Sequence, residues 1–561
     1  MSYLRSIKIN RFVFYHRLLL VWTLIAFCTT ANAEAPPDAG ATIRDVQPEI
    51  MPVPRSDPTL TLPEESNKEV LDKTPFTIQH FSIQGAELFT ESTLLALITD
   101  LTGEGRTLAD INTATTRITA YYRNQGYLLA RAYLPPQKLA DGNVLIKVLE
   151  GKLGSLSLQN QSRLNDNKVD AIAGHIPIGK PLRINQANRA ILLLRDTPGV
   201  GDVLARVAAG EKSGETNLTL DLTPAPSFTG RLEADNYGSL YTGKNRVGGS
   251  INFNSLLGLG ERISAQVLAS NESLYYGRLT GQLPIGSDGM NLGVNLSHVQ
   301  YELGDIFKSL NATGRVNSAE LFVTYPFVRD LTFNLTGQAS IKYSDLKDEI
   351  KATNTTVDKS IKKTNWALMI NNRDNWLGGG LNEASAGITL GELSIDSSSA
   401  RALDAVLART EGTYGIFNFE SSRLQFVTER ISLSLSAKGQ LATKNLDSSE
   451  KFALGGPFAV RGYPIGEGTG DKGWLVNAEV RYALLPNLYS SIYYDVGEVH
   501  INQKPFLATA NTRRLAGSGL GVGGYYKAFN WKALIAWRDT NESMAEKDKT
   551  PRFWLQGSLA F

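Results

Sequence analysis

Apolar and polar residues alternate along much of the chain from Ser227 onward, and this alternation defines the larger part of the predicted fold. Three runs show it most clearly, at residues 331–343, 431–440 and 553–561. A period of two places successive side chains on opposite faces of a β-strand. One face of these runs is apolar, and the other is rich in serine, threonine, glutamine and lysine. The pattern therefore predicts strands with one lipid-compatible side and one wet side.

These runs are longer than the strands of most soluble proteins. They reach about nine residues or more, the length that a tilted strand needs to cross a bilayer, whereas ordinary strands average about 5–6 residues. Because lipid offers no partner to a free backbone group, a sheet in a membrane must close on itself. Residues 226–561, which hold 37 of the 51 glycines, are thus predicted to form a transmembrane antiparallel β-barrel. Their length fits about 14, 16 or 18 strands.

Two segments before the barrel share a different pattern. Residues 76–151 predict the order strand, helix, helix, strand, strand, with the second helix ending at Gly126. Residues 152–225 repeat this order more loosely, and their corresponding glycine is Gly199. We interpret the two segments as tandem α/β modules, hereafter module 1 and module 2. One soluble domain of about 150 residues is the alternative.

The first residues of the chain have the features of an export signal. Four basic residues and no acidic one precede the apolar stretch Leu18–Phe27, which is followed by Ala31-Asn32-Ala33. This order predicts a signal peptide over residues 1–33, since the stretch is shorter than the roughly 20 residues that cross a bilayer as a helix. A lipoprotein signal acylated at Cys28 is the alternative, but the bulky residue before that cysteine argues against it.

The segment between the signal peptide and module 1 is rich in proline. Residues 34–75 hold eight of the 22 prolines, which rules out long helices and predicts an extended N-terminal segment and linker. Only Ala39–Gln47 has apolar positions at helical spacing, and Pro48 would end a helix there. A short helix and a disordered linker are both compatible with this stretch.

Composition excludes several classes of function. Without residues 1–33, the chain has 53 basic against 55 acidic residues, so it lacks the excess positive charge of a nucleic-acid-binding protein. The single cysteine, Cys28, lies in the predicted signal peptide, which excludes disulfide frameworks, thiolate metal sites and cysteine nucleophiles. Four histidines remain, far apart in sequence. We therefore expect no metal, no cofactor and no catalytic residues.

One segment of the barrel carries a recognisable motif. Residues 454–468 read LGGPFAVRGYPIGEG, whose centre is Val460, Arg461, Gly462 and Tyr463. This loop, near 454–470, resembles the VRGY motif in the sixth extracellular loop of two-partner secretion transporters, the haemolysin and filamentous-haemagglutinin secretion/activation family. The DNYGS stretch at 235–239 is also similar to that family. The two modules resemble periplasmic POTRA domains, and the resemblance implies sixteen strands.

The family pattern pairs the loop arginine with an aspartate in an aromatic-x-Asp motif of a later strand. That motif resembles Tyr493 and Asp495 of this chain, although tyrosine stands where relatives more often have phenylalanine. Alternation agrees, because Tyr493 and Asp495 share the more polar face of their strand, which is predicted to point inward. An arginine inside a polar lumen would still prefer a fixed carboxylate, which its planar fork binds bidentately. We therefore predict that Arg461 meets Asp495 inside the barrel.

The resemblance also implies a function. It implies an outer-membrane translocator whose periplasmic modules recognise one secreted exoprotein, haemolysin- or adhesin-like, which then crosses the pore unfolded. The helix at 39–47 would sit in the barrel as a plug. Contact with the cargo is predicted in module 2, where an extended segment could add as a strand. The candidate residues are Ile191, Leu194, Val203 and Val207, and the alternative is that they form the core of the module.

Further partners and rival functions follow from the same analysis. The outer face of the barrel would contact outer-membrane lipid. Phe561 resembles the C-terminal signal through which the barrel assembly machinery recognises its substrates. The alternative is one more lipid-facing aromatic residue. The rivals are an insertion factor for outer-membrane proteins, of the same superfamily, and a passive porin. An outer-membrane hydrolase ranks last because the histidines are scattered.

Overall fold

The computed structural model describes residues 36–46, 60–61, 74–139, 141–212, 214–540, 543 and 548–561. The predicted signal peptide lies outside the described residues. Among the helices within these ranges, none is both long and apolar enough to cross a membrane.

The described chain begins with a helix and a very short strand. Helix α1 covers Ala39–Val46, and strand β1 covers Leu60–Thr61. Gln47, the last residue of the stretch that the sequence indicated, lies outside the described residues. The apolar residues Ala39, Ile43 and Val46 of α1 are buried against side chains of the barrel interior.

Module 1 contains the predicted helices and final strand pair, but its first strand is split in two and a further short strand, which the sequence did not predict, lies between the helices. Its elements are β2 (Phe76–Ile78), β3 (His80–Gln84), α2 (Glu91–Leu95), β4 (Gly103–Arg106), α3 (Leu108–Asn124), β5 (Arg131–Tyr133) and β6 (Asn143–Leu149). Strands β3, β6 and β5 form one small sheet, while β2 pairs with β4. Helix α3 starts with a capping box in which the backbone N–H of Thr107 donates to Asp110. Its apolar face closes the core of the module.

Module 2 repeats the architecture and receives an extra strand from the N-terminal segment. Its elements are β7 (Lys152–Asn160), α4 (Asp166–Ala173), α5 (Ile184–Asp196), β8 (Val200–Ala209) and β9 (Glu215–Pro224). The sheet order is β1-β8-β9-β7, so β1 lies parallel to β8 and occupies its outer edge. Sequence analysis did not anticipate this pairing, because two residues within a proline-rich segment give no periodic signal.

The rest of the chain forms a closed barrel of sixteen strands, which confirms the predicted transmembrane antiparallel fold. The barrel strands are β10 (Phe228–Asp235), β11 (Arg246–Asn254), β12 (Arg262–Ser270), β13 (Tyr275–Ile285), β14 (Met290–Glu302), β15 (Ala312–Arg329), β16 (Phe333–Ile350), β17 (Thr355–Asp374), β18 (Gly380–Ile395), β19 (Gly412–Phe426), β20 (Ile431–Ala442), β23 (Lys472–Leu485), β24 (Leu488–His500), β25 (Thr512–Tyr526), β26 (Phe529–Arg538) and β27 (Arg552–Ala560). Two short strands, β21 (Phe452–Ala453) and β22 (Thr469–Gly470), lie between β20 and β23 and pair with each other outside the barrel sheet. Strand β10 pairs antiparallel with β27 and closes the ring.

One strand begins later than its alternation indicated. The pattern started at Leu331, whereas β16 starts at Phe333. The side chain of Asn334 accepts a hydrogen bond from the backbone N–H of Asp330 at 3.1 Å, and this bond belongs to the turn that precedes the strand. A turn held by a side chain leaves no trace in the hydrophobic period.

The two faces of the barrel wall differ as the alternation predicted. On β24, Ile492 and Tyr494 are exposed on the outside, whereas Tyr493 and Asp495 are buried on the inside. Large apolar residues such as Ile341 and Trp366 likewise point outward and remain exposed in the isolated chain. An apolar exterior of this kind is stable only in contact with lipid or detergent.

The position of module 2 distinguishes the two ends of the barrel. Lys168 of α4 donates to the backbone oxygens of Pro284 and Gly286, in the turn after β13. Asp196 at the end of α5 pairs with Arg329 at the end of β15, at 2.6 Å. The module therefore lies at the end with the short turns. The long connections are at the far end, and the sixth of them, residues 443–471, folds back into the barrel; we call it the lumenal loop.

Candidate functional site: the lumenal loop and the barrel wall

The lumenal loop has a small fold of its own. Strands β21 and β22 pair at its neck. Deeper in the loop, the backbone N–H of Val460 donates to the oxygen of Leu454 at 2.7 Å. Leu454, Val460 and Tyr463 are fully buried and pack against apolar side chains of β23, β24 and β25. The loop is therefore a packed part of the barrel interior, and its tip has a defined position.

Arg461 sits at that tip and is bound to the inner wall. Its Nε and Nη2 donate to the two carboxylate oxygens of Asp495 at 2.8 and 2.7 Å, and its backbone N–H donates to the same carboxylate at 3.1 Å. Asn477 adds a further hydrogen bond to Asp495 at 2.8 Å. Both charged side chains are buried, so the bidentate pair has little competition from water. The structure thus brings together the arginine and aspartate that the sequence motifs singled out.

A second carboxylate completes the environment of Arg461. Its Nη1 donates to Glu479 of β23 at 2.6 Å, and Arg481 donates to the other oxygen of Glu479 at 2.7 Å. Sequence analysis did not single out Glu479. The available signal was that it lies on the same face as Asn477, two residues away on the strand. Directly paired residues of neighbouring strands then bring Asn477 opposite Asp495.

The ring of Tyr493 packs against the guanidinium group of Arg461. The guanidinium carbon of Arg461 lies 3.4 Å from the centre of the Tyr493 ring, a close cation–π contact. The hydroxyl of Tyr493 donates to the backbone oxygen of Ile535 at 2.9 Å, so the ring extends across β25. It can do so because Gly519 has no side chain, since a Cβ there would lie 2.3 Å from the ring. The tyrosine that replaces the family's usual phenylalanine therefore gains an anchor.

The remaining motif residues fix the backbone of the loop. A Cβ on Gly462 would lie 2.8 Å from the backbone oxygen of Trp537, so only glycine lets the loop approach the wall this closely. The hydroxyl of Tyr463 lies 3.1 Å from that of Thr540. The buried indole of Trp554 donates to the backbone oxygen of Arg461 at 2.8 Å. The wall therefore binds both the side chain and the main chain of the loop tip.

Helix α1 lies in the same lumen. The backbone N–H of Ala39 donates to Asp348 of β16 at 2.8 Å. Asp38, just before the helix, bonds to Lys359 of β17 and to Ser448 of the lumenal loop. Burial raises the pKa of Asp38, but the charge of Lys359 and the hydrogen bonds from Ser448 and Ala41 outweigh it and lower the pKa to about 2. The carboxylate is therefore ionised at any physiological pH.

The predicted cargo contact in module 2 needs correction. Ile191, Leu194 and Val203 are 3 %, 0 % and 1 % exposed and belong to the hydrophobic core of the module, so no incoming chain can reach them while the module is folded. Only Val207 is partly exposed at the margin of this core. These residues have the apolar spacing of a core face, and that alternative is the one the structure supports.

Phe561 follows the last strand on the outer surface. Its side chain is 58 % exposed, and its backbone N–H and oxygen exchange hydrogen bonds with Gly230 of β10 at 3.0 and 2.8 Å. The C-terminal residue thus helps to close the barrel. Within the described ranges, no group of three or more histidine, cysteine, aspartate or glutamate residues is placed to hold a metal ion.

A sixteen-strand barrel with an apolar exterior, two α/β modules at one end and an inserted loop defines an outer-membrane protein with periplasmic domains. A sequence model of the family described as haemolysin secretion/activation protein ShlB/FhaC/HecB matches residues 214–524. A model of the ShlB-type POTRA domain matches residues 76–151, which is module 1. The first match spans more than half of the chain. The chain therefore belongs to the haemolysin secretion/activation family of outer-membrane transporters, the two-partner secretion class.

Individual relatives and solved structures agree with this assignment. The heme/hemopexin transporter protein HuxB of Haemophilus influenzae strain 86-028NP is 28 % identical over 432 residues, which is 76 % of each chain. The outer membrane transporter CdiB of Escherichia coli is 24 % identical and covers 84 % of this chain and 81 % of its own.

The structures of CdiB show the same fold. CdiB from Escherichia coli superposes with a TM-score of 0.69 at 19 % identity, covering 90 % of this chain and 94 % of that one. CdiB from Acinetobacter baumannii gives a TM-score of 0.61 at 16 % identity, with 98 % of both chains covered. BamA from Haemophilus ducreyi, lacking POTRA domains 1–3, gives 0.52 at 12 % identity, covering 87 % of this chain and 100 % of that one.

Proposed function

We propose that this transporter captures one secreted protein partner with its periplasmic modules and passes it, unfolded, through the barrel lumen to the cell surface. The observation that carries the proposal is the buried attachment of Arg461 to Asp495 and Glu479, because it holds a large loop inside the very space that a cargo would occupy. A pore that only needed to stay open would have no use for such an attachment. Export therefore requires the loop to shift.

Two elements keep the resting pore closed in this proposal. The lumenal loop fills one side of the lumen, and helix α1 fills another as a plug. Both must move before a chain passes, so resting and transporting states form a two-state equilibrium that the cargo shifts by binding one state better. Folding of the cargo outside the cell gives the process its direction. No chemical catalysis is needed, and its absence stays a prediction.

Cargo recognition is proposed at the edge of β8 in module 2. An extended segment can add there as a strand, with main-chain hydrogen bonds supplying the affinity. The same edge is paired with Leu60–Thr61 of the N-terminal segment, at Ala205 and Arg206. An arriving segment therefore has to displace β1. This site replaces the buried apolar residues that sequence analysis nominated.

A cavity lined by both polar and apolar residues lies where module 2 meets the barrel. It has a volume of about 360 Å³ and lies between α5 and the barrel. Its lining includes Leu193 and Asp196 of α5 together with Asn334, Thr336 and Asn371 of the barrel wall. Neutral amides and hydroxyls bind the backbone of any extended chain without selecting its sequence. The cavity is a suitable passage from the recognition site into the pore.

Two further partners belong to the proposal. The exposed apolar residues of the barrel exterior suit contact with outer-membrane lipid. The exposed aromatic C-terminus suits recognition by the barrel assembly machinery. As for the cargo, HuxB is by its name a heme/hemopexin transporter, so an exoprotein that acquires haem is the first candidate to test.

Deletion of the gene, followed by proteomics of the culture medium, tests the function. The proposal predicts the loss of one large exoprotein from the medium, restored by the wild-type gene but not by Arg461→Ala, although that variant should still assemble in the outer membrane. If Arg461→Ala restores secretion at the normal rate, the loop has no part in export. A medium unchanged by deletion, with an altered set of outer-membrane proteins instead, would favour the insertion-factor rival. Stable conductance without any protein client would favour the porin.

A further inference from the structure

The plug helix and the lumenal loop are in direct contact, although they enter the lumen from different parts of the chain. The side chain of Ser448, in the loop, donates to Asp38 at 2.5 Å, and Arg44 of the helix donates to the backbone oxygen of Ser448 at 2.9 Å. A Cβ on Gly40 would lie 2.3 Å from Oγ of Ser448, so the helix touches the loop as closely as a glycine allows. The helix therefore packs directly against the same loop that carries Arg461.

One lysine of the wall joins the two elements. The ammonium of Lys359 donates to Asp38 of the helix segment at 3.1 Å and to Asp447 of the loop at 2.8 Å. Its side chain is only 13 % exposed, and Asp447 is more deeply buried still. Removing the ammonium would leave the buried carboxylate of Asp447 and the partly exposed carboxylate of Asp38 without this counter-charge, which is an unfavourable arrangement.

A second ion pair on the same strand provides a comparison for Lys359. Lys363 lies four residues further along the same strand, and it also binds the loop, through both oxygens of Glu450 at 2.7 and 2.9 Å. Among the described residues, its ion pair is with Glu450 of the loop. Lys359 and Lys363 therefore hold the same loop to the same strand, but only Lys359 also holds the helix.

We propose that Lys359 is the positioning residue that couples release of the plug helix to movement of the lumenal loop. The coupling arises because Asp38 of the helix segment and Asp447 of the loop bind the same ammonium group. When the helix leaves, Lys359 loses Asp38, and the loop loses its contacts to Asp38 and Arg44 through Ser448. Conversely, when the loop moves, Asp38 and Arg44 of the helix segment lose their contacts with Ser448. The inference rests on the proposed transport function for its purpose, but the coupling itself is a property of the resting protein.

The test uses the purified full-length protein in liposomes and planar bilayers, where no cargo is required. A cysteine replaces Thr42, a buried residue on the helix, or Val460, a buried residue of the loop. The rate at which each thiol reacts with a water-soluble maleimide then reports opening of its own element. Lys359→Met should raise both rates at least about tenfold, because a carboxylate that loses its buried partner destabilises the closed state. Open-channel events should increase in the same variant.

Four comparisons make the test specific. Lys363→Met should raise the Val460 rate, but it should raise the Thr42 rate much less than Lys359→Met does, since its partner Glu450 belongs to the loop alone. Lys438→Met removes a lumenal cation that pairs with Glu420 of the neighbouring strand at 3.0 Å, and it should raise neither rate. Lys359→Arg keeps the charge and should restore most of the protection. Gly40→Ala perturbs the helix–loop contact without any change of charge and should also raise both rates.

Two outcomes would overturn the coupling. If Lys359→Met raises only the helix rate, the two elements move independently. If Lys363→Met raises the helix rate as much as Lys359→Met does, general loosening of the loop explains the effect, and Lys359 has no special position. Neither outcome depends on cargo. Secretion by living cells is a separate measurement, and its result tests the proposed function without deciding whether the helix and the loop are coupled.

Discussion

Asp495→Asn provides the sharpest perturbation of the loop attachment. Asparagine keeps the shape of the side chain but removes its charge and replaces one acceptor oxygen with a donor. In the structure both oxygens of Asp495 accept from Arg461, and one also accepts from Asn477. With asparagine in place, the amide NH2 group faces at least one N–H group of Arg461 or Asn477, and two donors cannot form a hydrogen bond with each other. We expect the loop to leave the wall more often while the barrel stays closed and assembled.

The size of the effect follows from burial. Removing one partner of a buried ion pair costs about 3–5 kcal/mol. The lower end applies here, because Glu479 still binds the Nη1 of Arg461. A cost of about 3 kcal/mol corresponds to a change of roughly a hundredfold in the population of the displaced loop. Arg461→Ala should have a smaller additional effect in the Asp495→Asn background, since the pair is already broken.

Thiol protection at Val460→Cys measures that population. Val460 is fully buried beside Arg461, so its thiol reacts only when the loop opens. The reaction rate should rise roughly a hundredfold in Asp495→Asn. The matched control is Glu420→Gln, which neutralises a lumenal carboxylate that pairs with Lys438 rather than with the loop. Equal rates in Asp495→Asn and in the parent would show that packing of the loop, and not the ion pair, holds it in place.

Three further predictions concern other parts of the molecule. Gly519→Ala should displace the Tyr493 ring from beneath the arginine and lower stability by about 1–3 kcal/mol, measured by the urea midpoint in detergent micelles; an unchanged midpoint would refute the close contact. Asp196→Lys should loosen the contact between module 2 and the barrel, which Lys168 still holds in part, and the reversed pair with Arg329→Asp should restore the native distance between spin labels, unlike either single variant. Burial, with a hydrogen bond to a buried glutamate, raises the pKa of Tyr122 above its usual value near 10. Module 1 should therefore keep its stability below about pH 10 and lose it as the pH rises further, which hydrogen exchange in α3 would show.

The fold was largely accessible from the sequence because membrane strands have a strict period. Residues such as Ile492 and Tyr494 must face lipid while Tyr493 and Asp495 face the lumen, so the pattern determines both strand position and orientation. The modules were accessible for a similar reason, since glycines such as Gly126 mark where their helices end. Elements without periodicity were missed, and β1 is the clearest case.

The site was accessible only in part. The arginine and aspartate came from motifs, whereas Glu479 came from no motif and needed strand register to be brought beside Arg461. The cargo contact was misplaced because apolar residues on a helix face, such as Ile191, carry the same pattern whether they bind a partner or form a core. The coupling lysine, Lys359, was also missed, since its two partners, Asp38 and Asp447, lie far from it and from each other in the chain.

Photo-crosslinking of a translocating cargo tests most directly whether a protein crosses this lumen. A photoreactive amino acid at Ser340 faces inward, whereas one at the next residue, Ile341, faces lipid and is 63 % exposed in the isolated chain. In cells that express the partner exoprotein, the account predicts a crosslink to that exoprotein from position 340 and none from position 341. Crosslinks of equal yield from both positions, or from neither while secretion proceeds, would contradict passage through the barrel.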